Sequence, residues 1–174
     1  MVRSGIIGED DRVELLEGYI VPKMVHKPPH DGTIDLANDG IQPLLPRGWR
    51  IRIQQSIVTD DSEPEPDLAV VRGDKRTFLT RHPGPADVGL LVEVSDASLQ
   101  RDRADKGRLY ARARIICYWI INLIDRQVEV YTDPTGPDPS PRYLNRVDYD
   151  VNSAVPIVLS GQPCGSIMVR ELLP

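Results

Sequence analysis

The most apolar stretch of the chain, residues 88–94, carries one carboxylate, Glu93. Such a run predicts a central β-strand that is covered on both faces. A second acid, Asp67, comes directly before the apolar run 68–71, which predicts another strand. Burying an isolated carboxylate in an apolar strand costs several kcal/mol, so each acid needs a cation beside it. An ammonium group or a divalent metal ion is the usual partner.

A lysine suited to this role lies in a predicted helix over residues 99–114. Five residues of this helix are spaced by three or four and share one face: Leu99, Asp102, Lys106, Leu109 and Ala113. The apolar members predict that this face packs on the sheet, which brings Lys106 near Glu93. A surface ion pair between Asp102 and Lys106 is the alternative for the lysine. For the acids, the alternatives are a solvated edge position at Glu93 and a strand-entry turn at Asp67.

The rest of the sequence predicts a mixed α/β fold in a single domain, residues 1–174. Residues 13–21 predict a β-hairpin with Glu17 and Gly18 in the turn. The spacing of apolar residues predicts a helix over 30–45. Further strands are predicted at 49–54, 115–121, 127–131, 143–147 and 156–159. Residues 72–87 predict a surface loop, with a short helix as the alternative within it. No regular strand or helix is predicted for the proline-rich stretch 133–141 or the weakly patterned 166–172.

The composition is that of an ordinary globular protein, with 40% apolar and 27% charged residues. The net charge of −5 is weak evidence for a nucleic-acid partner. Five arginines nevertheless surround Lys106 in the sequence: Arg101, Arg103, Arg108, Arg112 and Arg114. This cluster is either a solvated helix face or a surface that contacts phosphates.

Several protein classes are excluded by patterns that the sequence lacks. No run approaches the ~18 apolar residues of a membrane span, and we expect no signal peptide at the N-terminus. Cys117 and Cys164 lack metal-ligand spacing, so we expect free thiols in a cytoplasmic protein. The sequence contains no glycine-rich phosphate loop, Gly-x-Ser-x-Gly elbow or His-Glu-x-x-His run. Two prolines separate His26 from His30, which excludes a helical metal site between them.

Taken together, these segments resemble a known family. The matching segments are 65–71, 91–95 with Ser98, 102–110, 118–122 and 128–131. In order and spacing they are similar to the Uma-two family of restriction-endonuclease-like proteins, which belongs to the PD-(D/E)XK nuclease superfamily. The resemblance covers residues 12–132 and includes Glu14 and His30.

The resemblance implies a restriction-endonuclease-like fold, in which helices flank a mixed central sheet and a β-hairpin lies at the N-terminus. The core of this fold would span 12–132, followed by a proline-rich loop and C-terminal strands. The resemblance also implies that Asp67 and Glu93 bind Mg²⁺, or alternatively Mn²⁺. Lys106 would be the catalytic cation of an endonuclease that hydrolyses DNA.

The chain departs from the common superfamily pattern at one position. A lysine usually stands two residues after the second acid, where this chain has Ser95. The resemblance therefore assigns the lysine's role to Lys106 in the following helix. Glu14, His30 and Ser95 would support the site.

Two further functions stay open beside the endonuclease. One is a catalytically inactive module that uses the fold for binding or assembly, which the net charge of −5 favours. The other is a hydrolase that uses the same metal on a different phosphoester. A homodimer is also expected from the resemblance, with exposed aromatic residues such as Trp119 or Tyr131 at the interface.

Overall fold

A six-stranded mixed sheet forms the centre of the protein, whose computed structural model describes residues 13–23 and 27–174. The strands are β1 (Val13–Leu16), β2 (Tyr19–Pro22), β3 (Trp49–Ile53), β4 (Leu68–Arg72), β5 (Val88–Ser95), β6 (Cys117–Asn122), β7 (Gln127–Pro134), β8 (Tyr143–Tyr149), β9 (Ala154–Leu159) and β10 (Gln162–Met168). The helical elements are α1 (Pro28–Ile41), α2 (Leu99–Arg101), a π-helical segment (Asp102–Lys106) and α3 (Gly107–Arg112). Short 3-10 turns lie at Gln42–Leu44, Pro85–Asp87 and Val169–Glu171.

The central sheet has the strand order β3-β4-β5-β6-β7-β8. All neighbouring strands are antiparallel except β5 and β6, which run parallel. A parallel pair needs a long crossover connection, and the helical residues 99–112 provide it. The crossover packs on one face of the sheet, where Leu109 of α3 shares an apolar cluster with Leu91 of β5. The mixed sheet with flanking helices confirms the predicted fold class.

Two separate apolar clusters cover the two faces of the sheet. On the first face, α1 and the β9–β10 hairpin pack against Val92 and Val94 of β5. On the second face, the N-terminal hairpin and the helical crossover pack against Leu91. All residues of β5 are buried as a result, which confirms the prediction of a central strand. Each fully buried Val or Leu side chain contributes about 1.5–3 kcal/mol, and these contributions offset the cost of the acids placed among them.

The predicted N-terminal hairpin is confirmed. Strands β1 and β2 are antiparallel, and Glu17 and Gly18 adopt φ angles of 50° and 80° in the turn. Positive φ at both central residues is what a two-residue hairpin turn requires. The amide of Glu63 donates a hydrogen bond of 2.7 Å to the carbonyl of Leu15. The hairpin, which carries Glu14, is thereby held beside the segment that leads into β4.

The first helix lies earlier in the chain than predicted. It spans Pro28–Ile41 rather than 30–45. Prolines fit the first helical turn, because the amide hydrogens that they lack have no partner there in any helix. The helix predicted over 99–114 ends at Arg112 in the structure. Arg114 adopts a left-handed φ of 62°, with which a right-handed helix cannot continue.

The C-terminal part contains more strand than predicted. Strand β7 extends to Pro134, inside the stretch for which no regular element was predicted, and Pro134 pairs with Tyr143. Proline is tolerated at such a strand end, where no ladder hydrogen bond needs its nitrogen. Strand β10 was also missed, because Pro163 and Gly165 flank a bulge that breaks the alternating pattern.

The expectation of an exposed Trp119 is wrong. Its side chain is fully buried, because β6 is a central strand whose two faces are both covered. Tyr131 of β7 is half-buried. Trp119 is therefore a core residue and offers no surface to a second copy.

Three further expectations concern the N-terminal residues and His26, membrane-spanning helices, and the two cysteines. Residues 1–12, for which we expect no signal peptide, and His26 lie outside the described residues. Within the described ranges, no helix is long and apolar enough to cross a membrane. Cys117 and Cys164 are both free thiols, as expected.

Candidate active site

The register of the sheet sets Asp67 and Glu93 side by side. Leu68 of β4 pairs with Val92 of β5, so the next residues along the two antiparallel strands, Asp67 and Glu93, lie opposite each other. The Cβ atoms of such opposite residues are about 5 Å apart. Both acids point to the second face, because Leu68 and Val92 belong to the cluster on the first. Both side chains are buried, with 5% and 3% of their surface exposed.

The π-helical segment brings Lys106 to the same position. Its Nζ atom lies 2.8 Å from Oε1 of Glu93 and 3.8 Å from Oε1 of Glu14. Lys106 is buried, so the predicted packing of its helix face on the sheet is confirmed. The alternative surface pair between Asp102 and Lys106 is wrong, since both residues are buried and the lysine pairs with Glu93. Short π-helical stretches inside helices occur frequently at functional sites.

Asp67 is held by two donors. The amide of Val94 donates a hydrogen bond of 2.8 Å to its Oδ2 atom, and Nε2 of His30 lies 3.3 Å from the same oxygen. Burial raises the pKa of Asp67, but His30, the charge of Lys106 and the Val94 amide outweigh it and lower the pKa overall. Burial likewise lowers the pKa of His30, and Asp67 reverses this and raises the pKa overall. The pair therefore favours an ionised Asp67 beside a protonated His30.

Glu93 has the opposite balance. Burial raises its pKa to about 8, since the opposing charge of Lys106 is offset by the carboxylates of Asp67, Asp102 and Glu14. The hydroxyl of Tyr110 also donates to Oε1 of Glu93, at 2.7 Å. Burial lowers the pKa of Lys106, but the same acids outweigh it and raise the pKa, so the lysine is charged at neutral pH. The charge of Lys106 therefore does not outweigh the effect of burial on the pKa of Glu93.

Ser95, at the position of the usual superfamily lysine, contacts the helical segment. Its hydroxyl donates a hydrogen bond of 2.6 Å to Oδ2 of Asp102. The hydroxyl of Ser98 donates to the same oxygen, also at 2.6 Å. These bonds tie the end of β5 to the first turn of the segment that carries Lys106. Ser95 therefore contacts Asp102 rather than the pair of acids.

A cavity of about 120 Å³ opens beside these side chains. Glu14, His30, Asp67, Glu93 and Lys106 all line it. Further charged groups line it as well: Lys23, Lys27, Glu65, Asp96, Arg101 and Asp102. The structure therefore brings the predicted Asp67, Glu93, Lys106, Glu14 and His30 to one place, although they come from different parts of the chain.

Most of the arginine cluster around Lys106 takes part in ion pairs within this chain. Four of its five members form ion pairs with carboxylates of this chain. Arg101 pairs with Glu14, Arg103 with Glu129, Arg108 with Glu17, and Arg112 with Glu17 and Asp61. Their charges are used to attach the helical crossover to the hairpin and to the sheet.

A second buried carboxylate group lies further along the sheet. Glu129 of β7 is fully buried and accepts hydrogen bonds from Nε of Arg103 at 3.0 Å, Nδ2 of Asn122 at 2.8 Å and the hydroxyl of Tyr131 at 2.7 Å. Nη2 of Arg146 lies 3.3 Å from its Oε1. We call these five residues the Glu129 network. Burial raises the pKa of Glu129, but these donors outweigh it and lower the pKa to about 2.

Comparison with known proteins identifies the family and the fold of the chain. The model of the Uma2 family, described as "Putative restriction endonuclease", matches residues 3–157. The chain belongs to this family. The crystal structure of a "putative nuclease belonging to DUF820" from Anabaena variabilis ATCC 29413 is similar to the whole chain, with a TM-score of 0.65 and 15% identity over 98% of this chain and 94% of that chain. No curated protein matches the chain.

The family match confirms the resemblance inferred from the motifs. The similar crystal structure confirms the fold, and at 15% identity it carries the fold alone. Sequence reasoning did not identify the hydrogen bond from Tyr110 to Glu93 or the Glu129 network. A glutamate in the apolar strand β7 is the same signal that pointed to Glu93, and applied there it would have found Glu129.

Proposed function

We propose that the protein is a divalent-metal-dependent endonuclease that hydrolyses phosphodiester bonds in DNA. The observation that carries this proposal is the 2.8 Å contact between Nζ of Lys106 and Oε1 of Glu93, next to Asp67 at one cavity. Two carboxylates and a lysine in contact are the working parts of metal-assisted phosphodiester hydrolysis. Membership of a family described as "Putative restriction endonuclease" supports the same activity.

Asp67 and Glu93 are the proposed metal ligands, and their free oxygens suit the ion. Oδ2 of Asp67 faces His30 and the Val94 amide, and Oε1 of Glu93 faces Lys106. The other oxygen of each acid accepts no hydrogen bond from the described residues. No three His, Cys, Asp or Glu side chains gather as a metal cluster in the described ranges. Mg²⁺ fits such a site, because it usually takes one or two carboxylates and keeps several waters, and Mn²⁺ accepts similar oxygen ligands.

Each residue has a proposed role in the reaction. A bound metal ion would lower the pKa of a water molecule and neutralise charge on the phosphate. Lys106 would orient the attacking water or donate to the phosphoryl oxygen on which charge develops. Glu14 would hold Lys106 and His30 would hold Asp67, while Ser95 would fix the start of the helical segment.

A catalytically inactive module for binding or assembly is the second candidate function. The net charge of −5 favours it, because an acidic protein attracts nucleic acid poorly. Hydrolysis of another phosphoester by the same residues is a third. A cytoplasmic location, a homodimer and a single domain over residues 1–174 are part of our proposal for this chain.

Plasmid nicking tests the proposal. Wild type is expected to nick DNA with Mg²⁺ or Mn²⁺ and to stop when EDTA removes the metal. Glu93→Ala and Lys106→Ala are each expected to lower the rate by about 10²–10³-fold, the usual loss when one group that stabilises developing charge is removed. Glu171→Ala, at an exposed residue on the far side of the fold, is the control.

Two results would contradict parts of this proposal. Unchanged rates in both site variants would overturn the assignment of Glu93 and Lys106. A wild-type protein that cleaves neither DNA, RNA nor model diesters would favour the inactive module instead.

A further inference from the structure

Strand β3, at the edge of the central sheet, carries a buried arginine that has no acidic partner among the described residues. This is Arg52, which has 8% of its surface exposed and is the least exposed arginine in the described ranges. No residue in the described ranges accepts a hydrogen bond or forms an ion pair with its guanidinium, and its Nε atom is buried without a partner. Arg103, Arg108 and Arg112 of the crossover, by contrast, donate hydrogen bonds to carboxylates. Arg101 lies 3.8 Å from Oε2 of Glu14, although its Nη2 atom is also buried without a hydrogen-bond partner.

An aromatic ring and two further arginines surround Arg52. Its guanidinium carbon lies 5.6 Å from the centre of the Phe78 ring, and that of Arg81 lies 5.2 Å from the same ring. Burial, and then the charge of Arg50, lower the pKa of Arg52. A guanidinium keeps its charge in proteins despite such a shift. The stacked ring fixes the plane of the guanidinium but supplies no counter-charge.

Arg52 lies close to the proposed active site on the same face of the sheet. It pairs with Ala69 of β4, which belongs to the cluster on the second face. Asp67 comes two residues before Ala69 and points to that face as well. Residues offset in this way on neighbouring strands have Cα atoms on the order of 8 Å apart. Gln54, two residues after Arg52, lines the cavity of the site.

A buried cation without a counter-charge is unfavourable, so its retention indicates a ligand that supplies negative charge. The planar fork of a guanidinium matches the oxygens of a phosphate. The acids of the neighbouring site repel an anion, and a cation beside them offsets that repulsion. Arg52 is such a cation, and it lies on β3, the strand next to β4, which Asp67 directly precedes.

We propose that Arg52, stacked on Phe78, binds a backbone phosphate of the nucleic acid next to the phosphate on which Lys106, and a metal ion at Asp67 and Glu93, would act. This inference rests on the proposed function for the identity of the ligand. Arg50 adds positive charge beside Arg52, whereas Arg81 pairs with both carboxylate oxygens of Asp87. A phosphate-contacting surface therefore lies on edge strand β3 and the loop that contains Phe78.

The test compares Arg52→Met with Arg170→Met. Methionine keeps most of the packing of the arginine stem and removes the charge. Arg170 is exposed and lies next to Val169 of the first-face cluster, on the opposite side of the sheet, so it matches the charge change without touching the proposed surface. Arg52→Lys restores a charge at the tested position.

The primary readout is the affinity for a short fluorescent DNA duplex, measured with Ca²⁺ between about 50 and 200 mM NaCl. One lost phosphate contact lowers the salt slope of log Kd by about 0.9. Arg52→Met is expected to show this loss with roughly tenfold weaker binding at low salt, and Arg52→Lys to recover the slope. A slope and affinity for Arg52→Met equal to those of Arg170→Met would overturn the inference and leave the endonuclease proposal standing.

A second probe separates the two proposals if wild type neither binds nor cleaves nucleic acid. Inorganic pyrophosphate carries the same phosphate chemistry without a nucleic acid. If it raises the melting temperature of wild type and of Arg170→Met but not of Arg52→Met, the anion site stands and the function fails. If it stabilises all three equally or none of them, the anion site fails as well.

Discussion

Glu93 and Glu129 lie in one row across the same face of the same sheet, with Ile120 between them. Both are almost completely buried, at 3% and 0% exposure. Their environments nevertheless move their pKa values in opposite directions, to about 8 for Glu93 and to about 2 for Glu129. Burial alone therefore does not decide the state of a carboxylate in this sheet.

The partners explain the difference. Glu129 is contacted by the guanidinium groups of Arg103 and Arg146 and by two neutral donors, so its charge is balanced within the protein. Glu93 has one lysine, which it shares with Glu14, and it lies beside Asp67. Arg103 and Arg146 hold Glu129 ionised, whereas Lys106 does not outweigh the burial of Glu93, which lies next to a cavity. A buried carboxyl group whose surroundings raise its pKa differs in this way from a carboxylate held in a structural ion pair.

The strongest test of this comparison removes the balanced carboxylate. Glu129→Gln leaves Arg103 and Arg146 without their counter-charge and is expected to lower the free energy of unfolding by about 2 kcal/mol. This expected loss of unfolding free energy is smaller than that for a fully buried ion pair, because the two arginines are 29% and 37% exposed. Urea unfolding measures it, and Glu171→Gln at an exposed site is expected to change stability by less than about 0.5 kcal/mol.

The same variant tests whether Glu129 contributes to nicking as well as to stability. Nicking per folded molecule is expected to stay at the wild-type rate in Glu129→Gln, because the Glu129 network does not line the cavity. A loss as large as that of Glu93→Ala would mean that the two carboxylates act together.

The stabilisation by Glu129 is expected to depend on pH. Its pKa in the folded protein is about 2, below its ordinary value of 4.5, so the stabilisation is fully present above pH 4.5 and is lost as the pH falls toward 2. The difference in unfolding free energy between wild type and Glu129→Gln should be constant near neutral pH and smaller by about 1 kcal/mol at about pH 3.5. A difference that does not change over this range would contradict the assigned charge balance.

Adding a metal ion tests the site of Asp67 and Glu93. At ten times its Kd, Mg²⁺ that binds only the folded protein stabilises it by about 1.4 kcal/mol, or about 3–6 °C in melting temperature for a chain of this length. We expect this rise in wild type and in Glu129→Gln, and none in Glu93→Gln, at matched ionic strength. An equal rise in all three proteins would place the ion elsewhere.

The smallest expected effect comes from the hydroxyl beside Glu93. Tyr110→Phe removes the 2.7 Å hydrogen bond to Oε1 of Glu93 and is expected to cost about 1 kcal/mol of stability. Tyr149→Phe, in a half-buried tyrosine at the margin of the first-face cluster, is the control. If both variants lose the same stability in urea, the bond to Glu93 contributes nothing beyond packing.

Much of the fold, and the site residues Asp67, Glu93 and Lys106, could be predicted for a physical reason. Acids in apolar strands and a lysine on an apolar helix face are costly to bury. They can therefore be recognised as candidate site residues before their partners are known. The distance between them follows from strand register, which the sequence pattern does not specify. The partner of Ser95 and the donor to Glu93 from Tyr110 depend on the same register and on the π-helical segment, and they could not be predicted.

Other errors concern tertiary packing that the local sequence does not show. Trp119 was expected at the surface of a dimer interface, but β6 is covered on both faces. Strand β10 was missed because Pro163 and Gly165 are poor strand formers, and its pairing with β9 is a tertiary effect.

The contact between Glu14 and Lys106 has a consequence for folding order. It joins β1, near the start of the described chain, to the helical crossover that follows β5, with most of the central sheet lying between them in sequence. Contacts between such distant segments carry a high entropic cost of loop closure and form late. During synthesis, a chain released before the crossover has no lysine at the acids. On the proposed chemistry, such incomplete molecules would therefore lack the group that acts on the phosphate.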